Sequence, residues 1–319
     1  MTRELLILRH GKSDWDAGTD DYHRPLKDRG KRGAQRMGVW LQQQQLVPDL
    51  IISSPAERAL VTARKLCKAM GMGDQGIQRD ERVYGATAGE LLEVVSGCPE
   101  EVQRLLLVGH NPGLEDLLVT LVGETVSVPE DGKLLPTATL ARLIIPDTWK
   151  DLSPGCALLE SMTRPGNLPR KFPYPGPDGR EQRDRPAYYY TQSSVIPYRV
   201  RDGKLEILVI SSSKKKHLVV PKGIKDPGLT AQASAAQEAL EEAGVEGEVA
   251  MEALGRYSVN KWGATCTVTV YPMKVTRVVP EDEWEERHRG REWLSPDKAA
   301  GRLKQRELRP LVKTLEAMF

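Results

Sequence analysis

Residues Leu5–Asp16 read "LLILRHGKSDWD": four apolar residues run straight into arginine, histidine and glycine. A short, unbroken apolar run bounded by polar residues is the pattern of a strand buried on both faces. Such a strand has no structural need for a cation and an imidazole at its end. The same junction recurs twice, in "DLIISSPAERALVTA" (Asp49–Ala63) and "RLLLVGHNPG" (Arg104–Gly113). Helical periodicity separates these strands. "LKDRGKRGAQRMGVWLQQQQ" places Ala34, Met37 and Leu41 on one face, and "AERALVTARKLCKAMG" does the same with Leu60, Ala63, Cys67 and Met70. "LEDLLVTLVG" reads as a further helix and "ATLARLIIP" as a late strand. Strands alternating with helices predict an α/β unit with a mostly parallel sheet flanked by helices, and ligands beyond the carboxyl ends of its strands.

Those ends carry Arg9 and His10, then Ser53, Ser54 and Arg58 at a helix start, and His110 before another helix start. Arginine forks match phosphate oxygens and helix N-termini add N–H donors, so the pattern predicts a pocket for a phosphate dianion. Arg9 beside His10 favours the neutral imidazole, which is the nucleophilic form.

Bulk properties restrict the alternatives. A chain of 319 residues accommodates two cores. Its hydrophobic content of 39%, charged content of 28% and net charge of +2 describe an ordinary soluble protein, with no compositional case for binding a nucleic acid duplex. Cys67, Cys98, Cys156 and Cys266 are scattered and form no CxxC pair, which argues against a zinc ribbon and for a reducing compartment. No signal peptide or bilayer-spanning run is evident, so a cytoplasmic location without membrane partners is expected.

Apolar periodicity fades near Glu160, and "RPGNLPRKFPYPGPDGREQRDRPAYYY" (Arg164–Tyr190) is rich in proline, glycine and charge. The expected organisation is a first domain at 1–165, a linker at 166–190 and a second domain at 191–319. In the second, "SSVIPYRV" and "KLEILVISS" flank "RDG", which is hairpin chemistry. A helix near Thr230–Ala243, strands around "TCTVTVYPMKV" and a C-terminal helix complete an α+β unit with a mixed sheet. The helix places Glu238, Glu241 and Glu242 on one face. A like-charge pair about 6 Å apart costs about 0.7 kcal/mol in water and about 2.8 kcal/mol at an effective dielectric near 20. A divalent ion would relieve the second cost.

The "RHG" of Arg9–Gly11, "SSPAERALVTA" and "VGHNPG", with "RPLKDRG" from Arg24 and "SMTRPGNLP", resemble the histidine phosphatase superfamily, in particular the SixA-like phosphohistidine phosphatases. The resemblance spans residues 1 to about 170. It implies His10 as the phosphorylated nucleophile, with Arg9, Arg58 and His110 holding phosphoryl oxygens and no cofactor. The acidic motif of larger members has no clean counterpart in "DERVYGATAGELLEVV", where Glu90 is a candidate acid but also reads as a solvated helix start.

The run from Gly223 to Val245 resembles the Nudix box, matched at Glu238, Glu241, Glu242, Gly244 and Val245. It departs at Leu229, where the family has glutamate, at Gln237, where it has arginine, and at the small Ala239. The resemblance implies Mg2+ or Mn2+ held by Glu238, Glu241 and Glu242, with Glu241 helping to activate water. "PKG" before the box and "EWEERHRGREW" after it resemble the diphosphoinositol polyphosphate phosphohydrolase branch, which makes Lys222, Arg287, Arg289 and Arg291 candidate phosphate contacts. The expected protein is a bifunctional phosphohydrolase acting on small phosphorylated molecules or a phosphohistidine protein. The alternative is a phosphohistidine phosphatase whose degenerate Nudix half is a ligand-binding regulatory module.

Overall fold

The opening apolar run forms strand β1, Arg3–Arg9, in the computed structural model, whose described residues are 2–123, 126, 131–175 and 180–319. The chain divides into two units, Met1–Phe172 and Pro173–Phe319.

In the first unit the order is β1, α1 (Asp28–Gln43), β2 (Leu50–Ser53), α2 (Glu57–Ala69), β3 (Ile77–Arg79), α3 (Ala88–Ser96), β4 (Arg104–Gly109), α4 (Gly113–Val122), β5 (Leu140–Ile145) and β6 (Leu158–Thr163). Among the described residues these strands make one sheet, ordered β3-β2-β4-β1-β5-β6. Pairing is parallel from β3 through β1 and antiparallel at β5 and β6, so the sheet is mixed. The late strand therefore runs opposite to its neighbour, which apolar patterning does not disclose. β6 was also hidden from the patterning, because its inward positions are only half-buried while Leu158 faces solvent.

β1 is buried on both faces by strict alternation. Leu5 and Ile7 join Leu105, Leu107 and the apolar side chains of α3 and α4. Leu6 and Leu8 join Met37, Leu41, Ala63 and Cys67 from α1 and α2. The parallel registers place Arg9 opposite Gly109, and Ser53 opposite Val108, so the three strands end at one level.

Beyond β1 the chain passes so close to α1 that glycine is required on both sides. A Cβ on Gly11 would stand 2.8 Å from the Gly30 carbonyl oxygen, and one on Gly30 would stand 2.7 Å from the Lys12 nitrogen. Thr62 of α2 completes the clamp, accepting from Gly11 N at 2.9 Å while donating to the Arg58 carbonyl at 2.6 Å.

The second unit contains β9 (Thr191–Arg201), β10 (Lys204–Ser211), β11 (Leu218–Val219), β12 (Lys222–Ile224), α5 (Ala231–Ala243), β13 (Val245–Val249), β14 (Gly255–Lys261), β15 (Ala264–Val278), β16 (Arg291–Leu294), α6 (Pro296–Arg302) and α7 (Leu308–Glu316). Asp202 and Gly203, both at positive φ, turn β9 into β10 as hairpin chemistry requires. β9 pairs in parallel with β15, whereas the other pairings of this sheet are antiparallel. Alternation again sorts the faces. Val195, Leu208 and Ile210 meet Ala235, Ala239 and Ala243 of α5, while Ile196, Ile207 and Val209 meet α6 and α7. The alanine stripe explains the small residue at 239: it is fully buried in the helix–sheet contact.

The division at 172/173 falls inside the segment 166–190, which is not structureless. It holds the short paired strands β7 (Phe172–Pro173) and β8 (Gln182–Arg183). Arg183 stacks on Tyr174 at 3.2 Å and on Tyr190 at 4.5 Å. Aromatic–guanidinium stacking organises this stretch without any apolar repeat.

The Gly11–Gly30 contact yields a prediction. Gly30→Ala gains about 1 kcal/mol of helix propensity but overpacks against backbone, which costs about 1–3 kcal/mol. A net loss of stability on chemical denaturation is expected; unchanged or increased stability would show that the contact yields freely.

Candidate active sites

His10 follows β1 directly, and its backbone N–H donates to the Gly109 carbonyl at 3.1 Å, fixing it beside His110. The ring centroids are 5.1 Å apart. His10 Nδ1 lies 2.7 Å from the Gly11 carbonyl oxygen. A carbonyl only accepts, so Nδ1 carries the proton and Nε2 keeps its lone pair. The His110 ring is held by Ser54 Oγ, 2.8 Å from Nε2, and its buried Nδ1 has no partner among the described residues.

Around these rings lies a cavity of about 480 Å³ whose lining includes Arg9, Arg24, Arg58, Asp21, Tyr84 and Trp15. Arg9 reaches the Leu135 carbonyl at 2.8 Å. Arg58, in the first turn of α2, binds the Asp21 carbonyl and its carboxylate, the latter at 2.8 Å. Arg24 binds the same carboxylate at 2.7 Å and covers the Trp15 ring at 3.4 Å. Nevertheless Nε of Arg9 and Arg58, and Nε and Nη1 of Arg24, are buried without a partner among the described residues. A buried donor left unpaired costs about 1–3 kcal/mol. An oxyanion in the cavity is the natural acceptor for such donors.

Burial is the main cause of both histidines' weak basicity. It pushes His10 down to about 4, opposed by the Gly11 carbonyl and reinforced by Arg58, Arg9 and Arg24. It pushes His110 down to about 3, with His10 and Arg58 adding to the effect. The adjacent cation expected to keep His10 neutral is thus a secondary contributor. Burial alone would raise the Asp21 carboxyl, but bonds from Tyr84 and Arg58 and the charges of Arg58 and Arg24 hold it below the usual carboxylate range. Glu90 is absent from the cavity lining. It closes a capping box at the start of α3, accepting from Thr87 N and Oγ1 at 2.8 Å each, and those bonds keep it ionised. The candidate acid is therefore a helix cap.

In the second unit, Glu238 lies against Gly223 of β12, where any Cβ would collide with its carboxylate. Burial first, then Glu242, Glu241, Asp226 and Glu286, pushes the Glu238 carboxyl up to about 7. Glu242 accepts from Lys222 N at 3.0 Å and from Arg289 Nη2 at 2.7 Å; burial raises its pKa against both. Glu241 accepts from Gln237 Nε2 at 2.8 Å, so Gln237 braces a box glutamate through a neutral bond. No cluster of three metal-ligating side chains is preformed among the described residues, and Glu241 and Glu242 have separate partners.

Residues 5–123 match the histidine phosphatase superfamily (branch 1), and residues 190–315 match the NUDIX domain. The chain joins a histidine phosphatase domain to a Nudix domain. Both families are hydrolases, and the protein is a phosphohydrolase. The uncharacterized protein Rv1276c of Mycobacterium tuberculosis is 35% identical over 156 residues, covering 48% of this chain and 96% of its own length. Nudix hydrolase 12, mitochondrial, of Arabidopsis thaliana is 32% identical over 145 residues, covering 38% and 70% respectively. The protein histidine phosphatase SixA complexed with tungstate matches 51% of this chain and 98% of its own, at 20% identity and a TM-score of 0.44.

The structure brings Arg9, His10, Arg58 and His110 together in the phosphatase domain. In the Nudix domain a cavity of about 410 Å³ is lined by Lys222, Lys261, Arg289, Lys304 and Glu242. Arg289 thus lines the expected pocket, but it also pairs with Glu242 and Glu286. Arg291 instead binds the carbonyls of Ala243, Gly244 and Val279, closing the end of α5. Arg287 is absent from the cavity lining, and Lys214–Lys216 lie in an exposed turn after β10. Arg24, Asp21, Tyr84 and Trp15 were not foreseen as parts of the phosphatase cavity. The available signal was the "RPLKDRG" run, whose arginine is buried in an otherwise largely exposed turn.

Because both folded histidine pKa values lie below the ordinary value of 6.5, the unfolded chain binds more protons as pH falls below that value. Their contribution to stability is therefore complete above pH 6.5 and is lost progressively through about pH 4 and 3. An NMR titration of the full chain, assigned with His10→Gln and His110→Gln variants, should find both imidazoles neutral at about pH 5.5. An inflection above that pH in either ring would contradict the burial argument. Glu90→Ala should lower the melting temperature and leave phosphatase turnover unchanged; a severe loss of turnover would restore Glu90 as a catalytic acid.

Proposed function

We propose that the protein is bifunctional: a metal-independent phosphatase working through a phosphohistidine, and a Mg2+- or Mn2+-dependent Nudix hydrolase cleaving phosphoanhydrides of polyphosphorylated small molecules. The observation that carries the phosphatase reading is the set of unpartnered guanidinium donors around a buried imidazole with a free Nε2. His10 Nε2 attacks phosphorus, forming an N–P bond as the bond to the leaving group breaks and its electron pair departs with that group. Arg9, Arg24, Arg58 and His110 hold the phosphoryl oxygens. Water then hydrolyses the N–P bond, releasing phosphate and restoring the imidazole. Asp21 lines the cavity as an ionised carboxylate and supplies no proton. The site therefore suits leaving groups that depart as stable anions or neutral imidazoles.

In the Nudix domain, the donor set fits a hard divalent cation: oxygen ligands only, with Glu238 crowded by other carboxylates. Glu238, Glu241 and Glu242 would hold it. When bound, such an ion polarises a phosphoryl oxygen and lowers the pKa of water. Lys222, Lys261, Arg289 and Lys304 supply the cationic wall for a chain of phosphates, as in nucleotides, dinucleoside polyphosphates or inositol pyrophosphates. A second reading, that this domain binds a polyphosphorylated ligand and regulates the phosphatase, is favoured by the engagement of Glu242 with Arg289.

His10→Ala should abolish metal-independent phosphate release. Arg58→Ala should reduce it by about 10²–10³-fold, as for loss of a transition-state donor. Phosphate trapped on His10→Ala protein would sink the nucleophile assignment. Glu238→Gln should weaken Mg2+-dependent anhydride cleavage and spare phosphate release. If wild-type protein cleaves no dinucleoside polyphosphate or inositol pyrophosphate with Mg2+ or Mn2+, the binding-module reading stands.

A further inference from the structure

Next to the catalytic cavity of the phosphatase domain lies a smaller one of about 130 Å³. The two share Lys12 and Thr137 in their linings, so they lie on either side of these residues. The smaller cavity is walled by the first turns of α1, which bring Arg29 and Arg36, and by Ala138 and Pro165. Lys12, Arg29 and Arg36 make no ion pair with a carboxylate among the described residues. Nε of Arg36 is buried and unpaired. The charges that act on Arg36 are those of Arg32 and Arg170, both cations, and with burial they lower its pKa. Other arginines of this domain are paired with carboxylates: buried Arg3 with Glu100, and half-buried Arg104 and Arg142 with Glu4. Like charges gathered around a small concavity repel one another unless an anion enters.

We propose that this cavity is a second-anion subsite of the phosphatase, holding a phosphate on the leaving portion of the substrate. The substrate class is then a small molecule with at least two phosphates, rather than a phosphohistidine on a protein surface. This rests on the His10 reading and narrows it. It also agrees with the ionised Asp21 where the departing oxygen belongs to a stable anion, such as a phosphate or a phenolate, which needs no proton donor. The balance is simple: the N–P bond to His10 forms, the P–O bond breaks, and the oxygen keeps the electron pair.

The test compares full-length wild type with Arg29→Gln, Arg36→Gln and the double variant on three probes without metal. The probes are 4-nitrophenyl phosphate, 4-nitrophenyl phosphates carrying a phosphonate on an alkyl arm of increasing length, and histone phosphorylated on histidine by phosphoramidate; each loses a stable anion or an imidazole, so none calls for a proton donor. Arg29 is exposed, so its substitution leaves packing intact even if Arg36→Gln perturbs folding. Some arm length should give a higher kcat/KM than 4-nitrophenyl phosphate in wild type. That advantage should fall by about 10- to 100-fold in the double variant, the scale of lost charge-assisted hydrogen bonds, while 4-nitrophenyl phosphate turnover is unchanged. Equal kcat/KM for the phosphonate-bearing probes and 4-nitrophenyl phosphate in wild type would overturn the subsite. So would equal losses on both probes, or a loss confined to the phosphorylated histone, which would assign the cations to a protein surface. Failure of His10→Ala to abolish 4-nitrophenyl phosphate turnover would instead overturn the underlying catalytic reading.

Discussion

The parallel register of β1 against β4 is the constraint on which the phosphatase site depends. With Arg9 opposite Gly109, the next residue on each strand is a histidine, and the His10 N–H closes the last rung on the Gly109 carbonyl. β1 is apolar on both faces, so alternation alone does not choose its register; the observed pairing of Arg9 with Gly109 is what sets the separation of the imidazoles. The Gly11–Gly30 approach then bends the chain over α1, and the Gly11 carbonyl fixes the tautomer of His10. Backbone sterics beyond β1 and the orientation of the His10 imidazole follow from that single register.

The two domains handle buried charge in opposite ways. In the phosphatase domain burial disfavours the protonated imidazoles, and the surrounding guanidinium groups reinforce that effect. In the Nudix domain burial disfavours the carboxylates, and their mutual repulsion raises Glu238 further. Both sites are thus left short of the counter-charge their ligands would bring: an anion in one, a cation in the other. Glu242 shows the local compromise, since Arg289 and the Lys222 N–H neutralise part of the repulsion that Glu238 retains.

What was legible in the sequence was whatever short-range patterning records. The double-sided burial of β1, the apolar faces of α1 and α2, the hairpin at Asp202–Gly203 and the helix from about Thr230 all follow from residues close in the chain. The strand-end residues were legible because sheet topology forces such ends together. Direction was not: nothing local distinguishes the antiparallel β5 from a parallel strand. Arg24 was missed because its place depends on Asp21, Trp15 and Arg58, which meet it only in the folded loop. Within the segment 166–190, Arg183 between Tyr174 and Tyr190 stabilises local structure that apolar periodicity does not record.

The supply of protons links these features to chemistry. Phosphate esters of ordinary alcohols leave poorly as alkoxides and call for an acid beside the leaving oxygen. The carboxylate in the catalytic cavity is Asp21, committed to Arg58 and Arg24, and Glu90 is committed to the cap of α3. Protonating either would break charge-assisted bonds that hold the site together. Stabilisation of the leaving group must then come from fixed positive charge, and the Lys12, Arg29 and Arg36 wall offers such charge beside the cavity. A substrate in which the leaving group is itself a phosphate would meet both requirements at once: it departs as a stable anion, and its further phosphates seek cations. The lysine-lined cavity beside Glu242 offers cations of the same kind. Two unrelated folds thus carry cation-lined cavities, one around a neutral imidazole and the other beside crowded carboxylates, and both match the multiply phosphorylated substrates proposed for them.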